Sequence, residues 1–183
     1  KSQQKLSLVI SNNRVIFINT LGDVSSVDIN NGNLLWQTPT QSTEVYESSF
    51  SIQNSDLIAA KKNIFFSNNK NQFFALDERT GDIIWTQSIN SNLRPTYTQG
   101  LIFTISLEGY LVVIDARNGN IVRMTNIFDK IKNYEKKGFL ADKKNIKPVG
   151  FIVSKDKIYT SLNNGRIIIV DILTGKSLEV VKI

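Results

Sequence analysis

The stretch Phe74–Trp85, FALDERTGDIIW, decides the fold of this chain. An apolar run ends in Leu76-Asp77, a polar turn closes at Gly81, and a second apolar run leads to Trp85. The phrase Asp-x-x-(Asn/Thr)-Gly returns in SVDINNGNLLW (Asp28 to Gly32), VVIDARNGNIVR (Asp115 to Gly119) and IIVDILTGKSLE (Asp171 to Gly175). The four aspartates are separated by 49, 38 and 56 residues. Self-similarity at such a period marks stacked supersecondary modules rather than one irregular core.

Around Asp77 the module is complete. Asp56–Ala60, Asn63–Ser67, Gln72–Leu76 and Asp82–Gln87 are short runs rich in Ile, Phe and Trp, bounded by Asn, Gly and Asp. That is the signature of four hairpin-linked strands. Gly22, Gly109 and Gly165 fall between the second and third runs of the other copies, where a tight hairpin needs a positive φ. Asn69 or Asn71 serves in the second copy, since Asn tolerates that conformation best after Gly. In the repeat turn the Asp carboxylate accepts N–H groups from the residues after it, and the Gly closes the loop. A calcium loop would need more oxygen ligands and a Gly one place later. Four four-stranded antiparallel modules in series define an all-β chain built as blades of a β-propeller. The blades cover about residues 5–39, 55–89, 95–126 and 148–183, with an insertion at 127–147. Pro39, Pro95 and Pro148 fall between modules, where a missing N–H does least damage.

Composition narrows the function. The 183 residues contain neither Cys nor His, which removes thiolate metal sites, disulfides and the commonest general base. No run approaches the length of a membrane-spanning helix. The chain starts at Lys1 rather than Met, and no signal peptide is visible, which implies a processed or truncated product. The formal charge is +6, and four of those charges lie in residues 128–147. Lys136, Lys137, Lys143 and Lys144 are the densest part of that segment. Ile127, Ile131 and Tyr134 recur there at helical spacing, so a short helix is expected near 127–137. The segment reads either as a solvated loop or as a docking site for an acidic partner. Nucleic acid is not indicated, because basic and aromatic residues do not interleave.

FALDERTGDIIW resembles the repeat of the pyrroloquinoline-quinone (PQQ)-type propellers, in which a Trp four residues after the turn Gly docks one blade on the next. The likeness implies that Trp36 and Trp85 are docking residues and that Asp28, Gly32, Asp77, Gly81, Asp115, Gly119, Asp171 and Gly175 are structural. Arg123 and Glu179 stand in the Trp position of copies three and four, so docking is expected to be degraded there. Two branches of that superfamily differ in chemistry. The PQQ-dependent dehydrogenases bind quinone and calcium. The BamB branch is a non-catalytic periplasmic scaffold of outer-membrane β-barrel assembly, anchored as a lipoprotein, that binds a periplasmic domain of the barrel insertase through interblade loops. The second is the closer resemblance. It implies no cofactor, no metal and no catalytic residue, and a partner site at Leu93-Arg94, an exposed apolar–basic pair ahead of Pro95. A dehydrogenase fragment and a sensor or adhesion propeller are the alternatives. Four blades are few for the superfamily, so further blades are expected, with self-association through open blade edges or closure of the four blades alone as the alternatives.

Overall fold

A computed structural model of the protein describes residues 7–19, 22–40, 52–129 and 146–182. Among the described residues, sixteen strands fill the four modules. The first blade holds β1 (Ser7–Ser11), β2 (Arg14–Ile18), β3 (Val24–Asp28) and β4 (Leu34–Thr38). The second holds β5 (Ile58–Ala60), β6 (Asn63–Asn68), β7 (Gln72–Asp77) and β8 (Ile83–Gln87). The third holds β9 (Thr96–Thr98), β10 (Leu101–Ile105), β11 (Tyr110–Asp115) and β12 (Ile121–Asn126). The fourth holds β13 (Pro148–Val153), β14 (Lys157–Leu162), β15 (Arg166–Asp171) and β16 (Ser177–Lys182). Each blade is a separate antiparallel sheet whose strands pair in chain order. Pro148 opens β13 rather than preceding it, a strand position where its missing N–H is tolerated. The expected helix near 127–137 falls almost wholly outside the described residues, and its first three form a turn at the end of β12.

The four repeat turns share one geometry. The Gly N–H of each donates to the Asp carbonyl: Gly32 to Asp28, Gly81 to Asp77, Gly119 to Asp115 and Gly175 to Asp171, at 2.8–2.9 Å. The Asp N–H donates across the turn to the residue after the Gly, as Asp77 does to Asp82 at 2.8 Å. All four glycines have φ between 69° and 79°, the left-handed region where a Cβ is penalised. Gly22, Gly109, Gly165 and Asn71 likewise have positive φ in the second hairpin of each blade.

Just before each turn the register between third and fourth strands slips, between Ser26/Val27, Ala75/Leu76, Val113/Ile114 and Ile169/Val170. One extra residue of the fourth strand is accommodated there: Leu35, Ile84, Val122 and Leu178. A bulge of this kind re-aims the side chains beyond it. Residues 36, 85, 123 and 179 consequently stand opposite Ser26, Ala75, Val113 and Ile169.

The chain divides into two compact units, Lys1–Tyr97 and Thr98–Ile183. In the first, Ile16, Ile18 and Val24 of blade one pack with Leu57, Ile64, Phe66, Phe74 and Leu76 of blade two, with Val9, Trp36 and Ala59 at the margin. Burying a side chain of this kind contributes about 1.5–3 kcal/mol, so this shared face is what holds the two sheets together. In the second unit β10 lies against β13. Ile158, Ile168 and Val170 of blade four are fully buried there, as are Ile102 and Ile105 of blade three.

Candidate partner-binding surface

The repeat residues are committed to the fold. The Asp28 carboxylate accepts N–H bonds from Asn30 and Asn31, and that of Asp77 from Arg79 and Thr80. Asp115 accepts from the Arg117 N–H and guanidinium, and Asp171 from the Thr174 N–H and hydroxyl. These bonds hold three of the carboxylates below the ordinary value of 3.8. The leading cause is the Thr80 N–H for Asp77, the Arg117 side chain for Asp115 and the Thr174 hydroxyl for Asp171. Oxygens engaged in this way are poor candidates for a cation. Among the described residues, no three His, Cys, Asp or Glu side chains gather as metal ligands. The turn aspartates therefore do not fit the donor set that a quinone-bound calcium requires.

Docking between blades is built on the same turns. The Trp36 Nε1–H donates to the carbonyl of Glu78 at 3.0 Å, and the Thr38 hydroxyl donates to the carbonyl of Gly81 at 2.7 Å. The indole lies so close that a Cβ on Gly81 would stand 2.5 Å from Cε3 of Trp36. The Glu78 carboxylate, in a residue only 3% exposed, reaches back to blade one. It accepts bonds from the Ser11 hydroxyl and the Asn12 amide. Blade one thus grips the second turn from two directions. Trp85 stacks on Phe73 and tilts against Phe65, with ring centroids 5.8 and 5.9 Å away, both within its own sheet.

The third blade corrects an expectation. Arg123 was expected to mark a degraded joint, yet its guanidinium donates to the carbonyls of Ile172 (2.6 Å) and Leu173 in the fourth turn. Ile172 holds the place in its turn that Glu78 holds in the second. Arginine therefore makes the bond that tryptophan makes, because both end in an N–H on a flat side chain.

Leu93 and Arg94 lie on the connection between β8 and β9. Ser91 N–H donates to the Asn68 carbonyl at 3.1 Å, and Leu93 N–H donates to the Ser91 hydroxyl at 3.2 Å. The Asn92 amide donates to Gln53 at 2.9 Å. This stapling turns Leu93 inward. It is 8% exposed, so the expected exposed apolar anchor is in fact part of the packing, while Arg94 beside it is exposed. Lys136, Lys137, Lys143 and Lys144 lie outside the described residues. No helix among the described residues is long and apolar enough to cross a membrane.

Sixteen strands among the described residues, in four blades that each carry an Asp-to-Gly turn, define together with the matching sequence family a PQQ-like β-propeller chain. More narrowly, it belongs to the family of the outer membrane protein assembly factor BamB, whose sequence model matches residues 2–125. Among solved structures it is similar to BamB from Moraxella catarrhalis, at 19% identity and TM-score 0.71 over 95% of this chain and 50% of that one. It is also similar to the quinohemoprotein alcohol dehydrogenase from Comamonas testosteroni, at 13% identity and TM-score 0.75 over 98% of this chain and 35% of that one. The computationally designed Ika4 protein matches at 14% identity and TM-score 0.67, over 94% of both chains. Identities this low speak for the fold alone. The chain spans half the length of the BamB chain and about a third of the dehydrogenase chain. No curated protein sequence matches it.

Proposed function

We propose that this chain is a non-catalytic scaffold that binds a periplasmic domain of the barrel insertase during outer-membrane β-barrel assembly. The observation that carries this reading is its membership of the BamB family over residues 2–125. The commitment of all four turn aspartates to their own loops supports it, since these carboxylates are spent on architecture. The reading implies a periplasmic location and a lipid anchor in the full-length protein. Arg94 and the lysines of residues 128–147 are its candidate contacts. The exposed guanidinium can pair bidentately with a carboxylate, and the lysines steer an acidic partner.

The test is titration of the chain with the soluble periplasmic domains of the insertase, in calorimetry. Arg94→Glu is expected to weaken binding at least tenfold while leaving the melting temperature unchanged. Neutralising Lys136, Lys137, Lys143 and Lys144 is expected to slow association and flatten its salt dependence. Absence of binding by the unaltered chain, or PQQ- and calcium-dependent dye reduction with an alcohol, would overturn the scaffold reading.

A further inference from the structure

Three Asn-Gly pairs stand in the chain: Asn31-Gly32, Asn118-Gly119 and Asn164-Gly165. In such a pair the glycine nitrogen can attack Cγ of the asparagine side chain, because no Cβ shields it. The nitrogen gives up its proton, the bond from Cγ to the side-chain amide nitrogen breaks, and ammonia leaves. The five-membered succinimide then takes up one water. It opens to aspartate or, with one methylene added to the backbone, to isoaspartate. The reaction is redox-neutral and needs only water, so local structure decides which pair reacts.

Two of the pairs are locked. Asn31 and Asn118 belong to repeat turns, and their side-chain carbonyls accept the N–H groups of Asn33 and Asn120 at 2.9 Å. The attacking nitrogens, those of Gly32 and Gly119, donate to the Asp28 and Asp115 carbonyls at 2.9 Å. Each turn also holds a carboxylate against its own N–H groups, Asp28 on Asn30 and Asn31, Asp115 on Arg117. A negative charge so near disfavours the amide anion that must form.

Asn164-Gly165 lies in a different turn, between β14 and β15. In the second hairpin of the other three blades, the residue that opens the turn caps it with its side chain. Asn19 accepts the Asp23 N–H, Asn68 that of Lys70 and Ser106 that of Tyr110. Leu162 opens the fourth, and its side chain accepts nothing. The Gly165 N–H stands 3.3 Å from the Leu162 carbonyl, against 3.1 Å for the matching bond of Gly22 and 2.9 Å for that of Gly109. Asn164 and Gly165 are exposed, and among the described residues no hydrogen bond holds the Asn164 amide. Residues 162–166 carry Arg166 and no acid, so the local charge favours the anion.

We infer that Asn164 is a site of spontaneous modification, turning to isoaspartate or aspartate well before Asn31 and Asn118 do. Its neighbour Asn163 donates its N–H to the Lys147 carbonyl and accepts the Lys147 N–H through Oδ1, both at 3.0 Å. That reciprocal pair ties the end of the 127–147 insertion to blade four. A lengthened backbone and a new carboxylate at 164 disturb the tie, so the chain loosens this anchor as it ages. The inference rests on the hairpins alone and stands apart from the proposed partner.

Peptide mapping by mass spectrometry, on folded chain aged in warm, mildly alkaline buffer, reads all three sites at once. Exchange of ammonia for water raises the mass, and electron-transfer fragmentation separates isoaspartate from aspartate. Conversion at Asn164 is expected to run several times faster than at Asn31 or Asn118. In urea, where the turns are gone, the three rates should converge. Hydrogen exchange at Lys147 and Asn163 should quicken in the aged chain relative to Asn164→Lys aged alongside it. Lysine holds that place in the second blade as Lys70 and forms no succinimide. Asn164→Glu, which copies Glu108 of the third blade, serves if the lysine variant fails to fold. Conversion of Asn31 or Asn118 in the folded chain as fast as that of Asn164 overturns the inference, as does a rate order that persists in urea. Equal exchange in the aged chain and the aged variant overturns the loosening of the anchor.

Discussion

Replacing Gly81 by Ala adds one methyl group, and its position makes that group a probe of the first joint. Gly81 and Gly32 have nearly the same φ, 79° and 73°, so both substitutions carry the left-handed penalty of roughly 1–2 kcal/mol for a side chain. Their surroundings differ. The methyl on Gly32 meets nothing within 4 Å, whereas that on Gly81 would stand 2.5 and 2.6 Å from two indole atoms of Trp36 and 2.7 Å from the Thr38 hydroxyl. The indole has to move, which adds an overpacking cost of about 1–3 kcal/mol. Its Nε1–H bond to Glu78 is lost with it, at about 1 kcal/mol. Gly32→Ala should therefore cost about 1–2 kcal/mol and Gly81→Ala about 3–6 kcal/mol. Urea unfolding followed by fluorescence measures both, in a Trp85→Phe background so that Trp36 alone is read. The Gly81 variant should also show red-shifted native emission as the indole leaves the joint. Equal destabilisation by the two alanines would refute the reasoning, since it would leave backbone conformation as the whole effect and the close packing of Trp36 as none of it.

Arg123→Ala should destabilise the second unit by about 1–3 kcal/mol through loss of charge-assisted bonds to the Ile172 and Leu173 carbonyls, with Arg123→Lys intermediate; thermal unfolding checks both. Glu78→Ala should cost a similar amount, about 1.5–3 kcal/mol, by releasing Ser11 and Asn12, and hydrogen exchange should then quicken in the first hairpin of blade one. Asp77 titrates below its ordinary 3.8 in the folded chain, chiefly through the Thr80 N–H, so its contribution is full above that value and is lost as pH falls through the lowered one. Asp77→Asn keeps an acceptor for the turn, so its stability should fall less steeply than the parent's in acid unfolding below about pH 4.

The strands were legible because they are short runs rich in apolar residues, bounded by residues with a turn mechanism. The repeat turn places one Asp and one Gly where no other pair performs the same bonds, so its four copies could be read to the residue. What the sequence hid is instructive. Arg123 looked like the loss of a tryptophan, since a motif compares residue identities while a joint uses one N–H at the right reach. The extra residue in each fourth strand was invisible, because Leu34-Leu35 or Ile83-Ile84 reads as an ordinary apolar run until its pairing is known. Leu93 was misjudged for a different reason. Its position between modules suggested exposure, but the bonds that turn it inward come from Asn68, more than twenty residues earlier, and from the short loop itself. Contacts of that separation leave no local trace.

The slipped register before every turn also bears on how anything attaches to this protein. A fourth strand is one of the two sheet edges of its blade, and an even edge is a template on which a foreign strand can be laid down. Here each such edge carries an unpaired extra residue near its start, which interrupts the ladder of N–H and carbonyl groups a newcomer would have to match. Extension of the sheets by backbone pairing is therefore discouraged on the four fourth-strand edges. At these fourth-strand edges recognition is left to side chains and loops, which can be selective about who binds where a bare backbone edge cannot.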